Sequence, residues 1–386
     1  MRRVYFDHSA TTPVHPLVAE EMYRFLTDEN YGNPSSVHYF GQLARKAVDE
    51  SREKVAQAIG ATPAEITFTS GGTESDNMAI HGVANTIKQG NHIITSAVEH
   101  HAVLNAVKAL GKQGFDITIL PVDQYGMVSV DDVEKAITDK TILISIMHAN
   151  NEVGTIMPIV EIGKLAWDRG ITFHVDAVQS IGKIPVNVDE LGVHLLTVSG
   201  HKIYGPKGIG ALYIRKGTRW KQTLLHGGAQ ERLRRAGTEN IPGIVGLGKA
   251  VELITENMSK ENERLIALRD KLIKGVFNRF DHVKLTGHPT MRLPNHASFL
   301  FEYIEGESML LSLDMKGIAG STGSACTSGS LEPSHVLLAM GIPHEIAHGS
   351  LRITLGKDNT EEDVDYFLEV MEPIVDRLRA MSPLSE

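Results

Sequence analysis

Three short stretches carry residues whose types and placement could do chemistry on a bound group. Ser199-Gly200-His201-Lys202-Ile203-Tyr204-Gly205-Pro206 puts a lysine directly behind an apolar run, and Phe173-His174-Val175-Asp176 ends another run on an aspartate 26 residues earlier. In an open α/β sheet the carboxyl ends of the strands form the ligand crevice, so both side chains would face one site. Thr69-Ser70-Gly71-Gly72-Thr73-Glu74-Ser75 lies between a strand pattern and a helix pattern. Glycines there let backbone N–H groups approach an anion, and the helix N-terminus adds its dipole. The stretch lacks the lysine of a Walker A loop and the G-x-G-x-x-G of a dinucleotide turn, so neither nucleotide class fits. A carboxylate, a lysine and an anion cradle together suit pyridoxal phosphate: the lysine forms a Schiff base and the carboxylate keeps the pyridine nitrogen protonated, which makes the ring an electron sink. Taken singly, each stretch also reads as a plain turn or a solvated surface charge.

The chain has one cysteine, Cys326. An internal disulfide and a cysteine-built metal cage are therefore excluded. Residues 317–330 around it hold four Gly, four Ser and two Thr, a composition that favours irregular backbone over any element. A lone cysteine is more often an inert buried apolar residue; in this setting an accessible, reactive thiol is the better expectation. His344-Glu345-Ile346-Ala347-His348 matches the H-E-x-x-H pattern of zinc proteases. Pro343 and Gly349 bracket it to about one and a half turns and no third ligand follows, so no metal site is assigned.

These residues need a scaffold, and apolar runs alternating with helical patterns supply one: an α/β fold with a mainly parallel sheet. The patterns predict strands at 65–69, 92–95, 116–120, 141–147, 171–176, 195–199 and 210–214. A helix over 43–59 places Leu43, Ala47, Val48, Val55 and Ile59 on one face, with Gly60 as a stop. From Asn240 to Phe280 the chain reads as a charged helix pair with Glu and Lys at i,i+4. An α+β stretch follows, with strands at 297–303 and 351–355 around a helix at 307–316. Val364, Phe367, Leu368, Met371, Val375 and Leu378 then mark a last amphipathic helix.

With 42% hydrophobic and 22% charged residues, the composition is that of a globular protein. No apolar run approaches the ~18 residues of a membrane span. The first residues reach Asp7 without the apolar core of a secretory signal, so a cytoplasmic location is expected. A net charge of −9 disfavours broad nucleic-acid binding.

Several motifs together resemble those of the cysteine desulfurases of the NifS and IscS kind: Phe-Asp-His-Ser-Ala-Thr-Thr-Pro (6–13), Gly-Asn-Pro-Ser-Ser-Val-His (32–38), Asn-Asn-Glu-Val-Gly-Thr (150–155), His-Val-Asp-Ala-Val-Gln (174–179), Ser-Gly-His-Lys (199–202) and Gly-Ser-Ala-Cys-Thr-Ser (323–328). The likeness runs end to end, with two small departures, His8 where the family often has Tyr or Asn and Ala236 where Ser is usual. It implies a fold type I pyridoxal phosphate enzyme, with a seven-stranded large domain at 13–257 and a small domain built from 1–12 and 258–386 that carries the Cys326 loop and Arg352.

By this resemblance Lys202 would bind the cofactor covalently, Asp176 would pair with its ring nitrogen, His100 would stack on the ring and Gln179 would bond the phenolate oxygen. Asn151 would lie beside both ring and substrate. Gly72, Thr73, Ser199 and His201 would hold the phosphate, joined by Thr238 from the second subunit of a homodimer. Arg352 would clamp the carboxylate of L-cysteine, and Cys326 would take the sulfur as a persulfide and release alanine. The acceptor would be an iron–sulfur scaffold protein or a tRNA-thiolation protein. Cys326 could lend one ligand to a cluster on that scaffold, and the tail Met-Ser-Pro-Leu-Ser-Glu resembles the one that desulfurases present to it. Selenocysteine lyase and cysteine sulfinate desulfinase are sibling chemistries on the same fold. A non-catalytic sulfur carrier is a further alternative, against which Lys202, Asp176, Cys326 and Arg352 all stand.

Overall fold

The architecture starts from short strands whose alternate side chains feed two different cores. In a computed structural model that describes residues 2–27, 30–221, 224–323 and 333–382, the chain runs β1 (Val4–Tyr5), α1 (Pro16–Tyr23), α2 (Tyr39–Ala58), β2 (Ile66–Thr69), α3 (Gly72–Ala84), β3 (His92–Ser96), α4 (His101–Gly111), β4 (Asp116–Leu120), α5 (Val130–Ala136), β5 (Thr141–Ser145), α6 (Ile159–Asp168), β6 (Thr172–Asp176), β7 (Leu195–Ser199) and β8 (Gly210–Ile214). The sheet order is β2-β8-β7-β6-β5-β3-β4. The pairings from β4 through β3, β5 and β6 to β7 are parallel, whereas β8 is antiparallel to both β7 and β2. Leu195, Leu212 and Ile214 pack with α3 and α4, while Leu196, Val198, Ala211 and Tyr213 pack on the opposite face with α2, α6 and α7 (Ile241–Glu256). That is the period-2 pattern of a sheet covered on both faces.

After α7, a single residue, Asn257, separates it from α8 (Met258–Arg279). The chain continues through β9 (Val283–Leu285), β10 (His296–Phe301), α9 (Gly306–Asp314), β11 (Ile318–Ala319), α10 (His335–Ala339), α11 (His344–Ala347), β12 (Ser350–Thr354) and α12 (Glu361–Met381). The buried residues of α7 belong to the core under the large sheet. Those of α8 join Phe299, Phe301, Leu351, Phe367 and Met371 in a third core, separate from the two that cover the large sheet. β12, β10 and β9 form a three-stranded antiparallel sheet there.

The structure departs from the sequence patterns in one informative place. Ile318–Ala319, inside the Gly/Ser-rich stretch, form a strand paired in parallel with Val4–Tyr5, and Ser321 bridges to Arg352. Ile318 is fully buried; its apolar contact with a partner more than 300 positions away outweighs the irregular local composition. Cys326 and residues 383–386 of the C-terminal tail lie outside the described residues.

Candidate active site

The loops at the carboxyl ends of β2, β6 and β7 converge on a cavity of ≈ 330 Å³, within the usual size range for small-molecule sites. Of the residues singled out from the sequence, Gly72, Thr73, His100, Asn151 and Asp176 line it. So do Gln179, Ser199, His201, Lys202 and Arg352. Thr238 is exposed and does not line it in this chain.

At one end, Gly71 adopts φ +151°, a conformation that L side chains rarely take, and opens α3. A Cβ on Gly72 would come within 3.0 Å of Val178 Cγ2, so the first turn of α3 stays bare and its N–H groups remain open to an anion. Arg235 holds the same turn from outside, Nε to Glu74 Oε1 at 2.9 Å. The segment carrying Arg235 is itself fixed by a buried pair: Arg52 donates two 2.7 Å bonds to the Glu231 carboxylate, which also accepts from Phe68 N at 2.9 Å.

The cavity floor is acidic. Asp176 accepts from Val178 N at 2.9 Å and is buried, and desolvation pushes its carboxyl up despite the opposing pull of Val178 N–H and Lys202. Asp76, one helical turn beyond Gly72, lines the same cavity. Its carboxyl is raised well above the ordinary range by burial and by the negative field of Asp176. A buried carboxylate at the end of such a cavity is matched by a cationic N–H partner.

The walls are set by caps and threads. His100 caps α4, its Nδ1 accepting from Ala102 N at 3.1 Å. Burial, then Lys202 and His101, lower its pKa to about 4, so the ring is neutral near pH 7 with its proton on Nε2. Behind it Glu99 accepts from Ser96 Oγ at 2.6 Å and Met147 N at 3.0 Å, and burial raises it to about 8. The N-terminal strand-to-helix segment is threaded through the site: Lys202 Nζ donates to Ser9 O and Ala10 O, both at 2.6 Å, and His201 Nδ1 meets Thr11 Oγ1 at 3.1 Å. Gln179 Nε2 donates to Ser9 O at 3.0 Å. Arg352, fully buried on β12, donates Nη2 to Asp7 Oδ1 at 2.9 Å and Nη1 to Asn151 O at 3.0 Å, and its Nε has no partner among the described residues. A buried guanidinium with a spare donor suits a carboxylate ligand.

Sequence reasoning missed Asp76 and the carbonyls of Ser9 and Ala10. The signal for Asp76 was its i,i+4 spacing from Gly72 along α3; the carbonyls leave no mark in residue type. The H-E-x-x-H segment forms only α11, four residues long, with the two imidazoles edge-on at 4.8 Å.

The class-V aminotransferase family matches residues 4–367. A cysteine desulfurase IscS from Dictyoglomus turgidum is 58% identical over 386 residues, covering 100% of this chain and 98% of that protein. Another from Methanosarcina thermophila is 59% identical over 385 residues, covering 100% and 95%. Among solved structures, a NifS-like protein superposes with a TM-score of 0.92 at 43% identity, covering 98% of this chain and 100% of its own. An SspA in complex with cysteine gives a TM-score of 0.82 at 38% identity, covering 91% and 98%.

Proposed function

The chain belongs to the class-V aminotransferase family and, within it, to the cysteine desulfurases, and from that premise we propose that its cavity holds pyridoxal phosphate and takes the sulfur of L-cysteine onto Cys326. The observation that carries the reading is the convergence of Lys202, Asp176 with Gln179, His100 and Arg352, from four separate segments, on one cavity. These residues fit the cofactor: a bare α3 N-terminus with Thr73, Ser199 and His201 for the phosphate, the Asp176 carboxylate for a protonated ring nitrogen, and a Gln179 amide for the phenolate. Thr238 of a second copy would complete the phosphate site in a homodimer.

When bound, pyridoxal phosphate supplies an electron sink that stabilises negative charge at the substrate Cα. Lys202 would hold the cofactor through its amine, and that amine, when free, would move the substrate Cα proton. Arg352 fixes the substrate carboxylate through its planar fork, and Asn151 and His100 confine the rest. The Cys326 thiolate attacks the substrate sulfur, forming a new S–S bond as the Cβ–S bond breaks, and the electron pair left on carbon is protonated to give alanine. With no second thiol in the chain, the persulfide sulfur has to leave to another molecule, for which an iron–sulfur scaffold is the proposed acceptor. The cysteine bound to SspA supports the choice of substrate. A reducing cytoplasm suits a single thiol that must stay free. We take residues 13–257 as the cofactor-binding part and 1–12 with 258–386 as the part that brings Arg352 and Cys326.

The test is alanine formation from L-cysteine by protein loaded with the cofactor, with L-selenocysteine and cysteine sulfinate in parallel. Alanine from cysteine, and loss of both turnover and the visible band in Lys202→Ala, are expected. A loaded enzyme that makes no alanine would refute the assignment.

A further inference from the structure

Lys183 has no part in the roles described so far, yet it sits within the site's hydrogen-bond chain. It is 8% exposed, and its Nζ donates to Gln179 Oε1 at 3.1 Å. Two successive turns after β6 place Gln179 and Lys183 four residues apart on one side, and Asn262 of α8 clamps the Lys183 carbonyl at 2.7 Å. Gln179 in turn donates Nε2 to Ser9 O, the carbonyl that also receives Lys202 Nζ.

The consequence follows from donor and acceptor identity. An ammonium has three donors and no acceptor, and a carboxamide has one oxygen and one NH2 group. With the ammonium behind it, the Gln179 amide can hold only one of its two orientations, the one with oxygen toward Lys183. Flipping it would set NH2 against NH3+ and leave the Ser9 carbonyl facing oxygen. The fixed orientation turns the NH2 group toward Ser9 and leaves one N–H of it for the cavity that Gln179 lines.

We propose that Lys183 is a positioning residue for the cofactor's phenolate oxygen, holding the Gln179 amide so that a donor rather than an acceptor meets it. The inference rests on the pyridoxal phosphate reading above. The surrounding charges agree with an anionic ligand. Burial first, then the fields of Lys202 and Arg352, lower Lys183 to about 7, and an anionic oxygen on the far side of the Gln179 amide would favour the ammonium form on which the lock depends. Burial first, with the charge of Lys183 among the lesser contributions, lowers His8 and His201 to about 4 and lowers His296 as well. Glu261 and Lys357, which together with Lys183 line a second cavity, are paired with Arg264 and Asp358.

The experiment titrates the visible band of the cofactor-loaded enzyme against pH in the parent and in Lys183→Met, Lys183→Arg, Gln179→Leu and Lys183→Met/Gln179→Leu. Losing the cation and the amide lock both make it easier for the bound cofactor to keep a proton, so Lys183→Met should raise the midpoint by about 1 pH unit. Lys183→Arg should recover most of that shift. In the Gln179→Leu background the lysine change should have less than half its effect, because the two act as one unit. A Lys183→Met enzyme that titrates at or below the parent midpoint overturns the proposal, as does a shift of full size without Gln179. A parent enzyme with no band that depends on Lys202 overturns both this and the cofactor reading.

Discussion

The buried Arg52–Glu231 pair offers a quantitative test of how the site is held. Both side chains are nearly inaccessible, at 5% and 3%. The carboxylate accepts two 2.7 Å bonds from Arg52 and one of 2.9 Å from Phe68 N. It also anchors a strained turn, because Glu231, Arg232 and Leu233 all have positive φ, at 49°, 58° and 66°. Each such residue costs about 1–2 kcal/mol. Glu231→Gln keeps the shape but leaves a buried guanidinium without its counter-charge, a loss of roughly 3–5 kcal/mol against a typical total of ~5–15 kcal/mol. Urea unfolding followed by circular dichroism should show the midpoint falling by about 1 M. Cofactor affinity should fall with it, because the released turn carries Arg235 away from Glu74. Arg52→Met/Glu231→Met, with no charge left to strand, should be less destabilised than either single change. A Glu231→Gln protein within ~0.5 kcal/mol of the parent, measured against the scatter of ordinary surface substitutions, would refute the reasoning.

Two further outcomes can be checked directly. Glu99 is raised by burial from 4.5 to about 8, so between these values the folded state binds the proton that the unfolded state has released. Its contribution is full below pH 4.5 and is lost as pH rises through about 8. Glu99→Gln should therefore gain stability relative to the parent on going from pH 5 to pH 9 in paired thermal melts, and parallel curves would contradict this. Arg352→Lys removes the planar fork while keeping the charge, and should raise KM for L-cysteine about 10- to 100-fold in steady-state kinetics; an unchanged KM would place the carboxylate elsewhere.

Much of this was legible in the chain because strand ends and helix starts announce themselves locally. The runs 116–120, 195–199 and 210–214 coincide with β4, β7 and β8, and Asp176 and Lys202 could be set at one crevice from their position behind apolar runs alone. The direction of β8 was not legible, since Ala211, Leu212, Tyr213 and Ile214 are buried whichever way the strand runs. Contacts made by backbone atoms or across long loops were hidden for a related reason. The Asp7–Arg352 pair spans 345 positions, and Lys202 binds carbonyls of Ser9 and Ala10 whose side chains say nothing about it. Nothing in residue type sets Lys183 apart from the other lysines; only its burial behind Gln179 points to a role.

The central claim is that sulfur moves from L-cysteine to Cys326. Mass spectrometry of the Cys326 peptide after one turnover without an acceptor thiol tests it most directly. The account predicts a gain of roughly 32 Da, reversible by thiol, together with one alanine per site, and loss of both in Cys326→Ala while the bound cofactor's band is retained. Unmodified Cys326 beside stoichiometric alanine, or full desulfuration by Cys326→Ala, would contradict it.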